Sequence, residues 1–355
     1  MKILVTGATG YKGTVLVPKL LAAGHSVIAF DIMWFGNFLE PHPSLQIVRG
    51  DVRDIDAVPL DDPEVFALMA RGETMGVFQL ESPPMRALMR SLAPTSFDDV
   101  AALVALYRPG PMAANMHNDY ADYKNHRKDR VELHPELSEL LADTYSLMIY
   151  QESMMRVAQK FAGYSLADAD NLRKACGKKN RELIAAERAK FIAGTEATGY
   201  GADLGNRLFD IIEPFADYAF NKSHAFGYGL IAYQTAYLKA HFPVEYFACL
   251  LTSVKSNLDK AAVYLADARA LGVKVLTPDI NRSVTNFATL AAGEIPPDLA
   301  LPAGSPGVIT FGLSAVRNVG EALVDLLLEE RNANGPYDSF HHFVERAPEA
   351  VLNKR

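Results

Sequence analysis

Two groups of residues in this sequence have the types and the spacing suited to binding a phosphate. The first, basic residues around the predicted end of a helix at Gly177, consists of Arg173, Lys174, Lys178 and Lys179. The second, polar residues in front of a long helical pattern, consists of Asn221, Lys222, Ser223 and His224. Arginine and lysine form charge-assisted hydrogen bonds with phosphates, and the first N–H groups of a helix bind anions. The sequence therefore suggests binding of a phosphorylated ligand.

Both groups also have an ordinary structural interpretation. Cations in the last turn of a helix stabilise its dipole by about 0.3–1 kcal/mol each. Ser223 is of a type that caps helix N-termini, so residues 221–224 could form a capped turn. Arg108, which stands between a helix end and the Pro-Gly-Pro at 109–111, is a third candidate, with a structural turn as its alternative. Spacing alone leaves both interpretations open.

Candidates for contact with nucleic acid lie elsewhere. Residues 124–130, KNHRKDR, form the densest basic run, from which we select Lys124, Arg127 and Lys128. Such a run is also typical of a solvated surface. Residues 311–331 are similar to a helix-hairpin-helix, with Asn318 and Gly320 in the hairpin. Its backbone N–H groups could bind a DNA phosphate without reading base sequence. No second copy of this motif follows before residue 355.

Two Asp-x-Asp pairs raise the question of a metal site. Two-metal phosphoryl transfer needs carboxylates that hold two metal ions about 4 Å apart. The pair at 54–56 lies where the character of the sequence changes, and the pair at 168–170 lies on the first turns of a predicted helix. Helical side chains at i and i+2 diverge. We predict no metal site and no catalytic residue in this chain.

The secondary structure predicted for the first 55 residues differs from that of the rest of the chain. The first 55 residues show the pattern of a nucleotide-binding βαβ unit: an apolar strand, KILVT, a glycine loop, a helical segment and a second strand, SVIAFD. The cofactor-binding candidates are Gly7, Gly10 and Gly13 of the loop and Asp31 at the end of the second strand. Glycines let a pyrophosphate approach the helix N-terminus, and the carboxylate could bind a ribose.

The sequence motif TGATGYKG at 6–13, together with GDVRD at 50–54, resembles motifs of extended short-chain dehydrogenases and NAD-dependent epimerases. The resemblance implies NAD(P) as cofactor, with Asp51 near its adenine. No further βα units follow, so we expect an incomplete Rossmann unit without oxidoreductase activity. Tyr120 and Lys124 match the Tyr-x-x-x-Lys spacing of that family, which we interpret as coincidence.

The bulk properties are those of a soluble globular protein. The chain has 355 residues, of which 49% are hydrophobic and 22% charged, and a net charge of −7. Binding of nucleic acid must therefore come from local basic clusters. The two cysteines, Cys176 and Cys249, indicate neither a zinc site nor a disulfide framework. We expect a cytoplasmic protein without a signal peptide or a membrane role.

Helix signals dominate after residue 55. Predicted helix starts lie at Pro63, Pro83, Ser96, Pro135 and Ser165, the last with Asp168 as a reciprocal cap. Further helices are predicted over about 181–195, 202–213, 223–241, 244–254 and 258–271. VKVL and GVITFG are the predicted strands. The fold class we predict is α+β and mainly helical.

Residues 56–355 contain several sequence motifs that are specific to one family. They are GVFQLES (76–82), ALVALYRPGPM (102–112), YQESMM (150–155), FAGYSLADADNLRKACGKK (161–179) and FADYAFNKSHA (215–225). They resemble the fingers region of bacterial DNA polymerase III alpha subunits. Departures are Gly227 and Gly229 in place of alanines, which predict a softer helix, and Ser146 in place of glycine.

This resemblance favours the phosphate-binding interpretation, because in the family the segment around 173–179 faces the incoming nucleotide. It implies Mg²⁺ with a deoxynucleoside triphosphate as cofactor, and primer-template DNA and other replicase subunits as partners. The family's catalytic aspartates lie in a palm upstream of the fingers. We therefore expect the chain alone to be inactive as a polymerase.

The predicted organisation has three parts. Residues 1–55 form a partial Rossmann-like NAD-binding βαβ unit, residues 56–272 a helical fingers-like domain, and residues 273–355 a small β element with a helix-hairpin-helix-like segment. The hypothesis is a fragment or fusion of a replicative DNA polymerase that binds nucleotide and template. The alternatives are an NAD(P)-dependent epimerase or dehydrogenase and a non-catalytic nucleotide- or DNA-binding module.

Overall fold

The structure is a computed structural model that describes residues 2–6, 8–10, 12–31, 33, 36–49, 58–177, 181–215, 220–290, 293, 295, 299, 301 and 304–352. It divides into two compact units, unit 1 (Met1–Pro59) and unit 2 (Leu60–Arg355). The three sequence-based domain ranges stay a prediction.

Unit 1 contains a three-stranded parallel sheet and one helix. The strands are β1 (Lys2–Thr6), β2 (Ser26–Asp31) and β3 (Leu45–Arg49), in the order β1-β2-β3, and helix α1 is Gly13–Ala22. Val17 of α1 is fully buried in a core shared with Val5 and Val27. The sequence analysis predicts β1, α1 and β2 but misses β3. Neighbouring parallel strands are usually joined by a helix. Because no helical pattern stands between β2 and β3, the sequence contains no signal for a third parallel strand.

The sheet confirms an incomplete Rossmann unit. In the complete doubly wound fold, with strand order 3-2-1-4-5-6, the first strand is central and pairs on both sides. Among the strands that the structure describes, β1 pairs only with β2. The half of the fold beyond β1 is not formed by these residues.

Unit 2 is mainly helical, as predicted. Its helices are α2 (Pro63–Arg71), α3 (Pro83–Leu92), α4 (Phe97–Leu106), α5 (Pro109–Ala113), α6 (Met116–Lys124), α7 (Pro135–Leu140), α8 (Gln151–Ala162), α9 (Leu166–Gly177), α10 (Arg181–Ala197), α11 (Ala202–Phe215), α12 (Lys222–His241), α13 (Pro243–Ser253), α14 (Leu258–Ala270), α15 (Glu321–Asn334) and α16 (Phe340–Arg346). A small sheet of β4 (Lys274–Val275), β5 (Ala288–Thr289) and β6 (Val308–Thr310) has the order β4-β6-β5. Strand β5 was not predicted, because two residues carry no alternating pattern.

Local capping explains where several helices begin. The Asp62 carboxylate accepts hydrogen bonds from the backbone N–H groups of the first turn of α2. Ser165 and Asp168 cap each other reciprocally at the start of α9, as predicted. The prediction that Ser223 caps the long helix α12 is wrong. Asn221 is its N-cap, and the Asn221 Oδ1 accepts a hydrogen bond from the His224 N–H at 2.9 Å.

Helix α12 packs closely on α4 near its exposed N-terminal turns. A Cβ atom at Gly229 would lie 3.1 Å from the Cα of Ala101, closer than most real contacts. Gly229 thus permits a tight approach of α12 to α4. The prediction of a softer helix from helix propensity stays a prediction. Gly227, by contrast, faces open space.

Candidate nucleotide and nucleic-acid interface

The start of α12 is fixed to the start of α8. Tyr150 and Phe220 form a parallel β-bridge, and the Gln151 N–H donates to the Phe220 carbonyl at 2.9 Å. The Glu152 carboxylate accepts hydrogen bonds from the Asn221 side chain at 2.7 Å and the Lys222 backbone N–H at 2.8 Å. These contacts position residues 220–224 as one rigid turn.

Lys222 of this turn is held by a carboxylate and two rings. Its Nζ lies 2.8 Å from the Asp143 carboxylate and is half-buried. It also lies 5.4 Å from the Tyr150 ring centroid and 5.5 Å from that of Phe226, within cation–π range. A phosphate at this position would compete with Asp143 for the ammonium group.

Arg108 and residues 220–224 meet through a row of rings. The Arg108 guanidinium lies 4.4 Å above the Phe220 ring, and Phe220 lies 5.2 Å from His224. His224 contacts Tyr228 one helical turn later at 4.2 Å, and Tyr228 lies 5.7 Å from Phe78. We call the row formed by Arg108, Phe220, His224, Tyr228 and Phe78 the aromatic ladder. Arg108 and His224 are exposed, and the other three side chains are half-buried.

The ladder combines two functions of nucleic-acid sites. Aromatic faces stack on bases of any sequence, and an arginine binds a phosphate in a bidentate manner. An exposed guanidinium that lies over a ring can reach a phosphate while the ring receives the adjacent base. The ladder is therefore suited to a nucleotide or to single-stranded nucleic acid.

Two of the other predicted phosphate ligands, Arg173 and Lys174, lie on α9. Arg173 and Lys174 both bind Asp170, at 2.8 and 2.7 Å. The Lys174 and Arg173 side chains hold the pKa of the Asp170 carboxyl below its usual range. In the described part of unit 2, neither cation contacts the aromatic ladder. Lys178 and Lys179 lie outside the described residues, so the predicted grouping of 173–179 stays a prediction.

The Asp168 and Asp170 carboxylates do not converge on one point. Asp168 binds Lys190 at 2.5 Å and the Ser165 hydroxyl at 2.5 Å, and these contacts lower its pKa to about 2. Asp170 binds Arg173 and Lys174 instead. Over the described residues, no three His, Cys, Asp or Glu side chains are grouped so that they could hold a metal ion. The described residues do not fit a Mg²⁺ site, and we derive no chemical step through one.

The structure does not favour Lys124 as a DNA contact, which corrects the predicted set. Its Nζ lies 3.3 Å from the Asp99 carboxylate, with only 7% of its side chain exposed. The Tyr120 hydroxyl donates to the same carboxylate at 3.2 Å, and burial raises the pKa of Tyr120. Tyr120 and Lys124 thus stabilise the interior around Asp99, which gives the Tyr-x-x-x-Lys spacing a structural reason.

Arg127 and Lys128 remain candidates for DNA contact. Both are on the surface, where Arg127 binds Asp122 and Lys128 binds Asp119, each at 2.8 Å. Exposed ion pairs of this kind contribute little stability and exchange readily. Binding to a DNA phosphate is therefore compatible with their positions and stays a prediction.

The hairpin before α15 has the geometry of a tight turn. Asn318 adopts a left-handed backbone with φ of 66°, and Gly320 is the N-cap residue of α15. Both are exposed. Arg331 of α15 anchors a separate loop, since its Nη1 donates to the carbonyls of Ile280 at 2.6 Å and Ser283 at 2.8 Å. The contact of the hairpin with DNA stays a prediction.

The cofactor candidates of unit 1 are arranged around Asp31. One oxygen of its carboxylate accepts from the Thr9 N–H at 2.8 Å and the other from the Met33 N–H at 2.7 Å, which lowers its pKa. The Gly10 carbonyl accepts the Thr14 N–H of α1, and Gly13 begins that helix. Gly7 and Asp51 lie outside the described residues. No strand beyond β1 is formed by the described residues of unit 1, so these residues do not fit a whole dinucleotide, and we derive no step through NAD.

The sequence analysis missed several residues of the ladder and its support, namely Phe78, Asp143, Glu152, Phe220 and Tyr228. His224 and Tyr228 stand four residues apart on a helix, a spacing that could have identified Tyr228. No spacing signal joins Phe78 or Glu152 to α12, because 150 and 69 residues separate Phe78 from Tyr228 and Glu152 from Asn221.

Three family models match the chain. Residues 44–199 match the bacterial DNA polymerase III alpha subunit finger domain, residues 272–355 a helix-hairpin-helix motif, and residues 3–62 the NAD dependent epimerase/dehydratase family. The first and third matches overlap over residues 44–62. The chain therefore joins segments similar to two unrelated families, as the sequence analysis inferred.

Curated relatives extend the polymerase match across most of the chain. The DNA polymerase III subunit alpha of Mycobacterium leprae is 52% identical over 311 residues, 86% of this chain and 25% of the relative. The same subunit is 45% identical over 336 residues in Saccharopolyspora erythraea and 47% identical over 313 residues in Thermus aquaticus. These alignments cover 93% and 86% of this chain and 27% and 24% of the relatives. The chain thus spans about a quarter of the length of these relatives.

Among the described helices, none is long and apolar enough to cross a membrane.

Proposed function

We propose, from the homology of most of this chain to part of the DNA polymerase III alpha subunit, that unit 2 binds the incoming nucleotide and the template strand of a replicative DNA polymerase. The aromatic ladder is the observation that carries this proposal. It places an exposed arginine at one end of a row of rings, which suits a phosphate followed by stacked bases. The fixed turn at 220–224 keeps the row in one conformation.

The proposed role is binding without catalysis by this chain alone. Transfer of a nucleotidyl group needs two metal ions and the carboxylates that hold them. Asp168 and Asp170, the pair that the structure describes, bind cations of the protein instead. Mg²⁺ would accompany the triphosphate and be held by carboxylates of another polypeptide. Unit 2 would then orient the nucleotide against the template.

The partners that fit this role are a deoxynucleoside triphosphate, primer-template DNA and other subunits of a replicase, in the cytoplasm. Arg173, Lys174, Lys178 and Lys179 would bind the triphosphate, with Arg108 and residues 221–224. Arg127, Lys128, Asn318 and Gly320 would contact DNA phosphates. If no other polypeptide supplies the carboxylates, the same surfaces make unit 2 a non-catalytic nucleotide- and DNA-binding module.

A binding titration tests the proposal. The full chain is titrated against a labelled primer-template with a recessed 3′ end, with and without a deoxynucleoside triphosphate and Mg²⁺, by fluorescence anisotropy. We expect salt-sensitive binding that weakens about tenfold on Arg108→Ala, since loss of a charged contact costs about 1.5–3 kcal/mol. Arg71→Ala is the matched control, because Arg71 is exposed and its ion-pair partner is Glu73 rather than a residue of the ladder.

Two results would contradict the proposal. One is equal weakening by Arg108→Ala and Arg71→Ala, which would indicate an unspecific effect of charge. The other is Mg²⁺-dependent primer extension by the purified chain, which would show that it contains its own catalytic carboxylates.

A further inference from the structure

A groove in unit 2 lies beside the aromatic ladder. Its volume is about 490 Å³, and binding sites for small molecules measure about 300–1,000 Å³. Its lining includes Gly76, Phe78, Gln79, Glu81, Tyr107 and Tyr264. Phe78 belongs both to the groove and to the ladder. Tyr107 directly precedes Arg108, so the groove and the ladder share two neighbouring segments.

The side chains of the groove suit a nucleobase better than a phosphate. Its one charged lining residue is Glu81, which repels an anion. Phe78 and Tyr107 offer aromatic faces, and stacking of a base on such a face is tolerant of sequence. The Gln79 amide and the Glu81 carboxylate are groups that pair with base edges, the amide with adenine and the carboxylate with the cytosine amino group.

The backbone of this segment is held from three helices. The Phe78 N–H donates to Thr235 of α12 at 3.2 Å, and the Tyr246 hydroxyl of α13 donates to the Gly76 carbonyl at 2.9 Å. The Tyr264 hydroxyl of α14 donates to Glu81 at 3.1 Å. The groove is therefore preformed, which reduces the entropy lost on binding.

Gln79 is the residue of this segment whose conformation demands an explanation. Its backbone has a φ of 62°, a region that non-glycine residues seldom adopt, and its side chain is exposed. Glycine would adopt this φ without cost. Strain of this kind concentrates at functional positions. Gln79 lines the groove, and its side-chain amide makes no hydrogen bond among those of the described residues.

We propose that this groove binds one unpaired nucleobase of a nucleic-acid strand, with Phe78 stacking on the base and the Gln79 amide hydrogen-bonded to its edge. Arg108, at the other end of the aromatic ladder, binds a phosphate of the same strand. The inference rests on the proposed function and adds to it a residue that reads the base. It places the recognition of the template base on the segment at 76–82, between α2 and α3, rather than on α12.

The test compares two kinds of strand and two kinds of variant. The full chain and its Gln79→Gly variant are titrated with a labelled short single-stranded DNA, and with a strand of equal length built from abasic deoxyribose phosphates. Gln79→Gly is expected to raise thermal stability, because it relieves the strained backbone. It is expected to weaken binding of the DNA about tenfold, as loss of an amide–base contact does, and to leave abasic binding unchanged. Gln79→Asn keeps an amide and tolerates this φ. Its affinity for the DNA is expected to lie between those of the unaltered chain and Gln79→Gly.

The outcomes separate this inference from the function on which it rests. Unchanged DNA binding by Gln79→Gly overturns the base pocket, while a loss on Arg108→Ala would still support the proposed function. An equal loss on the DNA and the abasic strand also overturns the inference, because the groove would then bind backbone. Failure of the unaltered chain to bind either strand overturns both.

Discussion

The Glu152 carboxylate of α8 accepts a hydrogen bond from the backbone N–H of Lys222 at 2.8 Å, across 70 residues of sequence. A second hydrogen bond joins Glu152 to the Asn221 side chain at 2.7 Å. Asn221 in turn caps α12. One carboxylate thus determines where the helix begins and how the ladder residues after it are oriented.

Glu152→Ala is expected to loosen the start of α12. It removes two hydrogen bonds to a charged acceptor, so we expect a loss of about 1.5–3 kcal/mol in the free energy of unfolding. Binding of single-stranded DNA is expected to fall with it, because Phe220 and His224 lose their fixed positions. Chemical denaturation and anisotropy measure the two effects. Glu152→Gln is the control, since an amide oxygen can still accept one of the hydrogen bonds; a loss as large as that of alanine would contradict this explanation.

Lys239→Met is expected to destabilise unit 2 strongly. The Lys239 side chain is wholly buried, and its Nζ donates to the carbonyls of Glu73 and Met75 and to Asp267, at 2.6–2.8 Å. Removal of one partner of a buried ion pair costs about 3–5 kcal/mol, because the other charge stays buried. The midpoint of urea denaturation measures this loss. The double variant Lys239→Met with Asp267→Leu should recover part of it, and no recovery would argue against the ion pair as the cause.

Gly227→Ala and Gly229→Val are expected to change stability in opposite directions. Gly227 faces open space, so alanine gains its helix propensity of about 1 kcal/mol. A Cβ at Gly229 would lie 3.1–3.4 Å from Ala101 of α4, and a branched side chain there would force the helices apart. Overpacking of this kind costs about 1–3 kcal/mol. Thermal denaturation of both variants decides the matter, and a stabilising Gly229→Val would disprove the close approach.

Ser146→Gly is expected to stabilise the chain. Ser146 has a φ of 67°, and its Oγ is buried with no hydrogen-bond partner. Glycine relieves the backbone strain and removes the buried hydroxyl, each of which contributes about 1 kcal/mol. Ser146→Ala separates the two effects, because it removes the hydroxyl and keeps the strained φ. If alanine stabilises as much as glycine, backbone strain is not part of the explanation.

Asp168 is expected to make stability depend on pH at the acidic end. Its contacts with Lys190 and Ser165 lower the folded-state pKa from 3.8 to about 2. A lowered carboxyl pKa contributes stability that is fully present above pH 3.8 and is lost as the pH falls through about 2. Asp168→Asn should therefore lower the melting temperature at pH 5, and this effect should shrink as the pH falls from about 3.8 towards 2 and vanish below that. A difference that persists unchanged to pH 2 would show that the ion pair is not its source.

The sequence by itself determined much of the local structure and the resemblance to known families. Helix starts at Asp62, Ser96 and Ser165 followed from caps whose partners stand within three residues. The glycine loop and two strands at the N-terminus, and the phrases shared with polymerase alpha subunits, are likewise contiguous in the chain. Such features need no long-range contact, so reading along the chain was sufficient.

Only the tertiary structure decided which of the candidate residues act together. It joined Arg108 to residues 220–224 through Phe220 and placed Phe78 at the end of the ladder, although 150 residues separate Phe78 from Tyr228. It showed that the Lys124 side chain is largely buried and paired with Asp99. It also showed that Asn221, rather than Ser223, is the N-cap residue of α12. It further showed that Gly229 lies where α12 packs against Ala101 of α4. Burial and ion pairing depend on partners distant in sequence, and no local pattern in a single chain records them.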